Sequence, residues 1–176
     1  MAGHNKWSKI KHKKAVTDAQ KSAVFGKMAR LITVESKKAG GDTSSPGLRA
    51  AIDKARSVNM PKDNIERAVA KGTSADAASL ESVVYETYGP GGVAVVIDAL
   101  SDNRNRTAAE IKHLLSKNGY ELASPGSALW AFENTAEGYE PKTMTSVSEE
   151  DGEKLTKLIE ILQEQEDVQD VYTNAE

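Results

Sequence analysis

Two hydrophobic periods divide this chain. Up to Gly72, apolar residues recur at the three-to-four spacing of helix faces. After Ser79, β-branched runs take over. Small polar residues over 73–79 form a credible linker between them. A helical half followed by a strand-bearing half predicts an α+β chain. The expected architecture is an N-terminal three-helix bundle over 1–78, then a small α/β domain over 79–176 with a mixed sheet and two helices.

Charge changes sign at the same place. Residues 1–72 hold 16 Lys/Arg against 6 Asp/Glu, and residues 73–176 hold 7 against 20, a division hidden by the net charge of −3. Such a split points to an anionic partner for the basic half. With 39% hydrophobic and 28% charged residues the chain reads as globular rather than disordered. It holds no cysteine, which excludes disulfides and Cys-based zinc sites. The Lys-rich beginning has no apolar core of a signal peptide, and the apolar run over 93–100 is interrupted by Asp98 and is too short to span a bilayer. A cytoplasmic protein without membrane contact is expected.

In the basic half, the first sixteen residues lack apolar periodicity and read as an extended arm. A helix is predicted over 17–38, with Phe25, Met28, and Leu31 or Ile32 on one face, stopped by Gly40 and Gly41. Ser45 and Pro46 open a second helix that buries Leu48, Ala51, Ile52 and Ala55 and breaks at Asn59, Met60 and Pro61. Pro61 opens a third, with Ile65, Ala68 and Val69 inward, closed by Gly72. In the acidic half, strands are predicted at Val83, Val84 and Tyr85 and over 93–97, joined by a turn at Gly89, Pro90, Gly91 and Gly92. A helix follows over 105–118, then strands over 128–132 and 139–147. Ser148 caps a last helix through Asp151, and a strand closes at 168–172.

The basic arm carries the first candidate site. Lys6, Lys9, Lys11, Lys13 and Lys14 crowd together with Trp7 and His12 among them. Ammonium groups neutralise phosphates and release counterions, and an interleaved Trp stacks on an unpaired base or anchors the arm. Lys21, Lys27 and Arg30 extend the charge along the first helix. Arg49, Lys54, Arg56, Lys62, Arg67 and Lys71 read equally well as ordinary exposed faces. Arg104 and Arg106, at a helix start, form a second candidate anion site. Their neighbours Asp102, Asn103, Asn105 and Thr107 are cap- and turn-forming types, so helix capping is the main role expected there.

Catalytic constellations are missing from the pattern. His4, His12 and His113 have no metal-ligand spacing, no nucleophile elbow occurs, and the glycine turn lacks the ending of a phosphate loop. The acidic residues over 149–170 suit a solvated helix face. The expectation is a non-enzyme with no catalytic residue, metal, cofactor or small-molecule substrate.

Motifs along almost the whole chain resemble the YebC/PmpR family. They include Gly3-His4-Asn5-Lys6-Trp7 and the lysines after it, Asn59-Met60-Pro61-Lys62-Asp63-Asn64-Ile65, Tyr85-Glu86-Thr87-Tyr88-Gly89-Pro90-Gly91-Gly92, Asp102-Asn103-Arg104-Asn105-Arg106-Thr107, and Asp167-Val168-Gln169-Asp170-Val171-Tyr172. The resemblance implies a three-helix domain followed by α/β domains. It also implies a role as a DNA-binding transcriptional regulator or, as in mitochondrial relatives, a translational activator, with the ribosome as a candidate partner. The chain departs from the pattern in two places. The loop over 41–48 is shorter and lacks an Asn-Pro step. A further α/β domain, usual between the strands near Phe132 and Pro141, is reduced here to a loop's length.

Two functional readings stay open, DNA binding and ribosomal RNA binding that helps elongation. No helix offers a set of base-reading side chains, and lysine-dominated contact positions a protein without specifying sequence. A Lys-rich arm with Trp and His suits irregular RNA, which favours RNA slightly. A third reading is a protein-interaction module without nucleic-acid contact.

Overall fold

The computed structural model describes residues 18–176 apart from 76 and 78, with side chains from residue 21 onward. The candidate contacts Lys6, Trp7, Lys9, Lys11, His12, Lys13 and Lys14 lie outside the described residues. Two compact units are present, a helical one ending at Glu81 and an α/β one from Ser82 to Glu176.

The helical unit consists of α1 (Asp18–Ala39), α2 (Pro46–Ser57) and α3 (Lys62–Thr73). Met28, Ile32, Leu48, Ala51, Ile52, Ala55, Met60, Ile65 and Ala68 make its core. α1 ends in a Schellman turn: the Gly41 N–H reaches the Ser36 carbonyl at 2.9 Å, with Gly40 and Gly41 at φ 59° and 81°. α2 ends the same way around Asn59 at φ 61°, and the Met60 N–H donates to the Ala55 carbonyl at 3.0 Å. That turn sets the buried Met60 side chain into the core immediately before Pro61, the residue at the N-cap of α3. Ser45 occupies the start of α2, although its side chain makes no capping hydrogen bond there.

Gly72 departs from its expected role. It lies inside α3, buried, where a Cβ would come within 2.6 Å of the Thr33 carbonyl oxygen and the Ser36 Cβ. The close α1–α3 approach is tied by the Ser36 hydroxyl, which donates to the Val69 carbonyl at 2.7 Å. The glycine permits contact between helices rather than ending one.

The α/β unit runs β1 (Glu81–Tyr88), β2 (Ala94–Ser101), α4 (Arg104–Lys117), β3 (Phe132–Thr135), β4 (Gly138–Pro141), α5 (Glu149–Glu164) and β5 (Val168–Thr173). One sheet has the order β1-β2-β5, and β3 and β4 form a second. The expected mixed sheet is replaced by antiparallel pairing: β2 with β5, for example Ile97 opposite Val171, and β3 with β4. The short connection through Gly89 makes β1 and β2 antiparallel neighbours as well. β2 is covered on both sides, which explains its unbroken apolar run. Val95 and Ile97 pack with Ile111 and Leu115 of α4 and Leu155, Leu158, Ile159 and Leu162 of α5. Ala94 and Val96 pack with Ala128, Ala131 and Phe132, flanked by Tyr139 and Tyr172.

The strand expected over 128–132 is instead a 3-10 turn, Leu129–Ala131, leading into β3. Its amides have another acceptor. The buried Glu86 carboxylate takes the N–H groups of Gly126 at 2.7 Å, Ala128 at 2.9 Å and Leu129 at 2.7 Å. β4 stops at Pro141, well short of 147. The strands between which the resemblance expects an inserted domain are joined through Ala136 and Glu137 in a tight hairpin that pairs Thr135 with Gly138.

Candidate nucleic-acid interface

On α1, helical spacing puts Lys27, Arg30, Lys37 and Lys38 on the side away from Met28 and Ile32. Lys21 is exposed near the start of the helix. Lys38 pairs with Glu35 at 2.9 Å.

A second group surrounds a groove of about 830 Å³ between α2 and α3. Ile52, Met60, Ile65 and Val69 supply its apolar lining, and Arg49, Arg56 and Lys62 its cations. Arg56 meets Asp53 at 3.4 Å and Lys62 meets Glu66 at 3.6 Å, both in exposed pairs. Exposed pairs of this kind contribute at most about 1 kcal/mol, so a phosphate can compete for either cation. Arg49 has no ion-pair partner among the described residues. By residue type alone these three cations are indistinguishable from ordinary exposed surface. The available signal was the one-face spacing of Arg49, Ile52 and Arg56 along α2.

Arg104 and Arg106 stand at the start of α4, away from both groups in the chain. Asn103 caps that helix, its side chain accepting the Arg106 N–H at 3.1 Å. Arg104 is exposed, and its carbonyl accepts the Tyr85 hydroxyl at 3.3 Å. The Arg106 guanidinium meets Asp167 at 2.8 Å, Asp102 at 2.9 Å and Glu110 at 3.7 Å. Its hydrogen bond to Asp167 raises its already high pKa further. Asp167 is buried and also accepts the Thr107 hydroxyl at 2.7 Å. Arg106 is therefore built into the fold as the counter-ion of Asp167.

Among the described residues no group of three His, Cys, Asp or Glu side chains could hold a metal ion, and no helix is long and apolar enough to cross a membrane.

The helical unit coincides with one family model. Residues 5–75 match the TACO1/YebC protein N-terminal domain, and residues 80–137 and 134–175 match the TACO1/YebC second and third domain. The chain belongs to the TACO1/YebC family. A probable transcriptional regulatory protein of Fervidobacterium nodosum is 38% identical over 235 positions, covering 99% of this chain and 93% of the relative. One from Halothermothrix orenii is 53% identical over 134 residues, which is 75% of this chain and 53% of that relative. A crystal structure of the conserved hypothetical protein Aq1575 from Aquifex aeolicus superposes with a TM-score of 0.83 at 31% identity, over 97% of this chain and 96% of that one. In this TACO1/YebC chain of 176 residues, 99% of the chain aligns over 235 positions, so the relative carries a stretch with no counterpart here. The two matches to the second model meet at 134–137, on the tip of the β3–β4 hairpin. The short form expected from the sequence is thus closed by that turn.

Proposed function

We propose that this TACO1/YebC member is a nucleic-acid-binding regulator of gene expression whose basic helical unit grips phosphate backbones. The observation that carries the reading is the gathering of Arg49, Arg56 and Lys62 around one groove of a cation-rich unit, while the other half of the chain is acidic. The relatives' printed names, probable transcriptional regulatory protein, support a regulatory role. The chain acts by binding, without catalysis or cofactor, and works in the cytoplasm.

Ribosomal RNA is the favoured target, with duplex DNA the second reading. α3 offers one base-reading amide, Asn64, and Arg67 already donates to it at 2.6 Å. Without a base-reading face, contact by Lys and Arg suits shape and backbone recognition. In this account Lys6, Trp7, Lys9, Lys11, His12, Lys13, Lys14, Lys21, Lys27 and Arg30 act with the groove cations.

Sedimentation of tagged protein from DNase-treated lysate through sucrose at low and high salt tests the choice. Co-migration with ribosomes at low salt, released at high salt, supports the RNA reading. Migration only at the top, together with tight duplex DNA binding in a separate titration, supports the DNA reading. Absence of both overturns the proposal.

A further inference from the structure

Trp130 and Tyr88 are 56% and 40% exposed in the α/β unit. Neither ring is loosely held. Trp130 Nε1 donates to the Tyr88 hydroxyl at 3.2 Å, and that hydroxyl donates to the Ser127 carbonyl. One hydrogen-bond chain therefore orients both rings. The segment beneath is fixed from the inside by Glu86, whose carboxylate binds the N–H groups of Gly126, Ala128 and Leu129. A carboxylate leaves water only when its oxygens are satisfied, and here they are satisfied by the backbone that presents Trp130.

The adjoining hairpin adds charge. Glu133 on β3 lies directly opposite Glu140 on β4, and both are exposed. Among the described residues no cation forms an ion pair with either. Like charges directly opposed across a strand pair lower stability. Chain residues 73–176, which include this unit, hold 7 Lys/Arg against 20 Asp/Glu. A phosphate backbone would be repelled here, whereas a guanidinium stacks on an indole face and pairs with carboxylates.

We propose that Trp130 and Tyr88, with Glu133 and Glu140, form a docking surface for an arginine-rich protein segment. Trp and Tyr are the residue types that dominate such contacts. The inference is independent of nucleic-acid binding by the helical unit.

The test uses the full chain and a fluorescent peptide of alternating arginine and serine, followed by anisotropy. A lysine version of the peptide and decauridylate serve as further probes. The arginine peptide is expected to bind more tightly than the lysine peptide. Trp130→Ala should weaken it at least about tenfold, and Tyr88→Phe, which keeps the ring but breaks the hydrogen-bond chain, should weaken it less. Glu133→Gln with Glu140→Gln should weaken peptide binding while raising the melting temperature, because the like-charge pair is removed. Equal binding of the two peptides, or peptide affinity unchanged in Trp130→Ala and in the double glutamine variant, overturns the proposal. Loss of decauridylate binding in Trp130→Ala with the peptide unaffected also overturns it and marks a base-stacking site.

Discussion

The Arg106 guanidinium lies 2.8 Å from the carboxylate of Asp167, a side chain only 1% exposed. Thr107 completes the cluster: its hydroxyl is 2.7 Å from the same carboxylate oxygen and 2.5 Å from the Ser101 hydroxyl. Thr107→Val removes that bridge inside a buried site and is expected to cost about 1–3 kcal/mol in denaturant unfolding. Arg106→Gln is expected to lower the melting temperature while leaving the salt dependence of nucleic-acid binding unchanged. A change in that dependence would assign Arg106 to the interface.

Gly72 sets the distance between α1 and α3. Gly72→Ala places a methyl group against the Thr33 carbonyl oxygen and Ser36. The expected loss is about 1–3 kcal/mol, measured by chemical unfolding. Gly26, on α1 with nothing within 4 Å of a built Cβ, provides the control. Gly26→Ala should be neutral or stabilising, since alanine favours helix by about 1 kcal/mol.

Tyr172 makes the fold sensitive to alkali. Its ring meets Tyr139 edge-on at 5.4 Å. Burial, aided by the nearby Asp170 and Asp98, pushes its hydroxyl pKa well above the ordinary value. The folded chain thus keeps a proton that the unfolded chain releases, and stability should fall as pH rises beyond about 10, where an unperturbed tyrosine ionises. Tyr172→Phe should lessen that fall, as seen in melting temperatures measured across the alkaline range.

The groove cations are expected to act as phosphate contacts. Replacing Arg49, Arg56 and Lys62 together by Ala should weaken RNA binding. Each lost contact should reduce the log–log salt slope by about 0.7–0.9. Replacing Lys112 and Lys117 on α4 by Ala is expected to leave the slope unchanged.

Much of this was legible in the sequence because local chemistry fixed it. Gly40, Gly41, Asn59, Met60 and Pro61 mark where α1 and α2 stop, and their backbone turns follow from those residue types. The Ser148 cap of α5 was equally local, its side chain accepting the Asp151 N–H at 3.1 Å. The features that escaped depend on distant partners. The segment over 128–132 has a strand-like composition, yet Glu86, some forty residues earlier in the chain, withdraws its amides from any ladder. Gly72 reads as a helix stop because its contact, Ser36, lies on another helix. The pairing of Arg106 with Asp167 escaped because the two come together only through the packing of β5 beside β2. For the candidate site, the charge division was visible at once, whereas the grouping of Arg49 and Arg56 with Lys62 required the angle between α2 and α3.

The most direct test of the central claim is a titration of the full chain with a labelled ribosomal RNA fragment at several salt concentrations. The chain is compared with a variant carrying Lys9→Ala, Lys11→Ala, Lys13→Ala and Lys14→Ala. Affinity is expected to fall with salt, and the variant to bind more weakly, with a slope shallower by about 0.7–0.9 per lost phosphate contact. Salt-independent binding, or an unchanged affinity and slope in the variant, would contradict it.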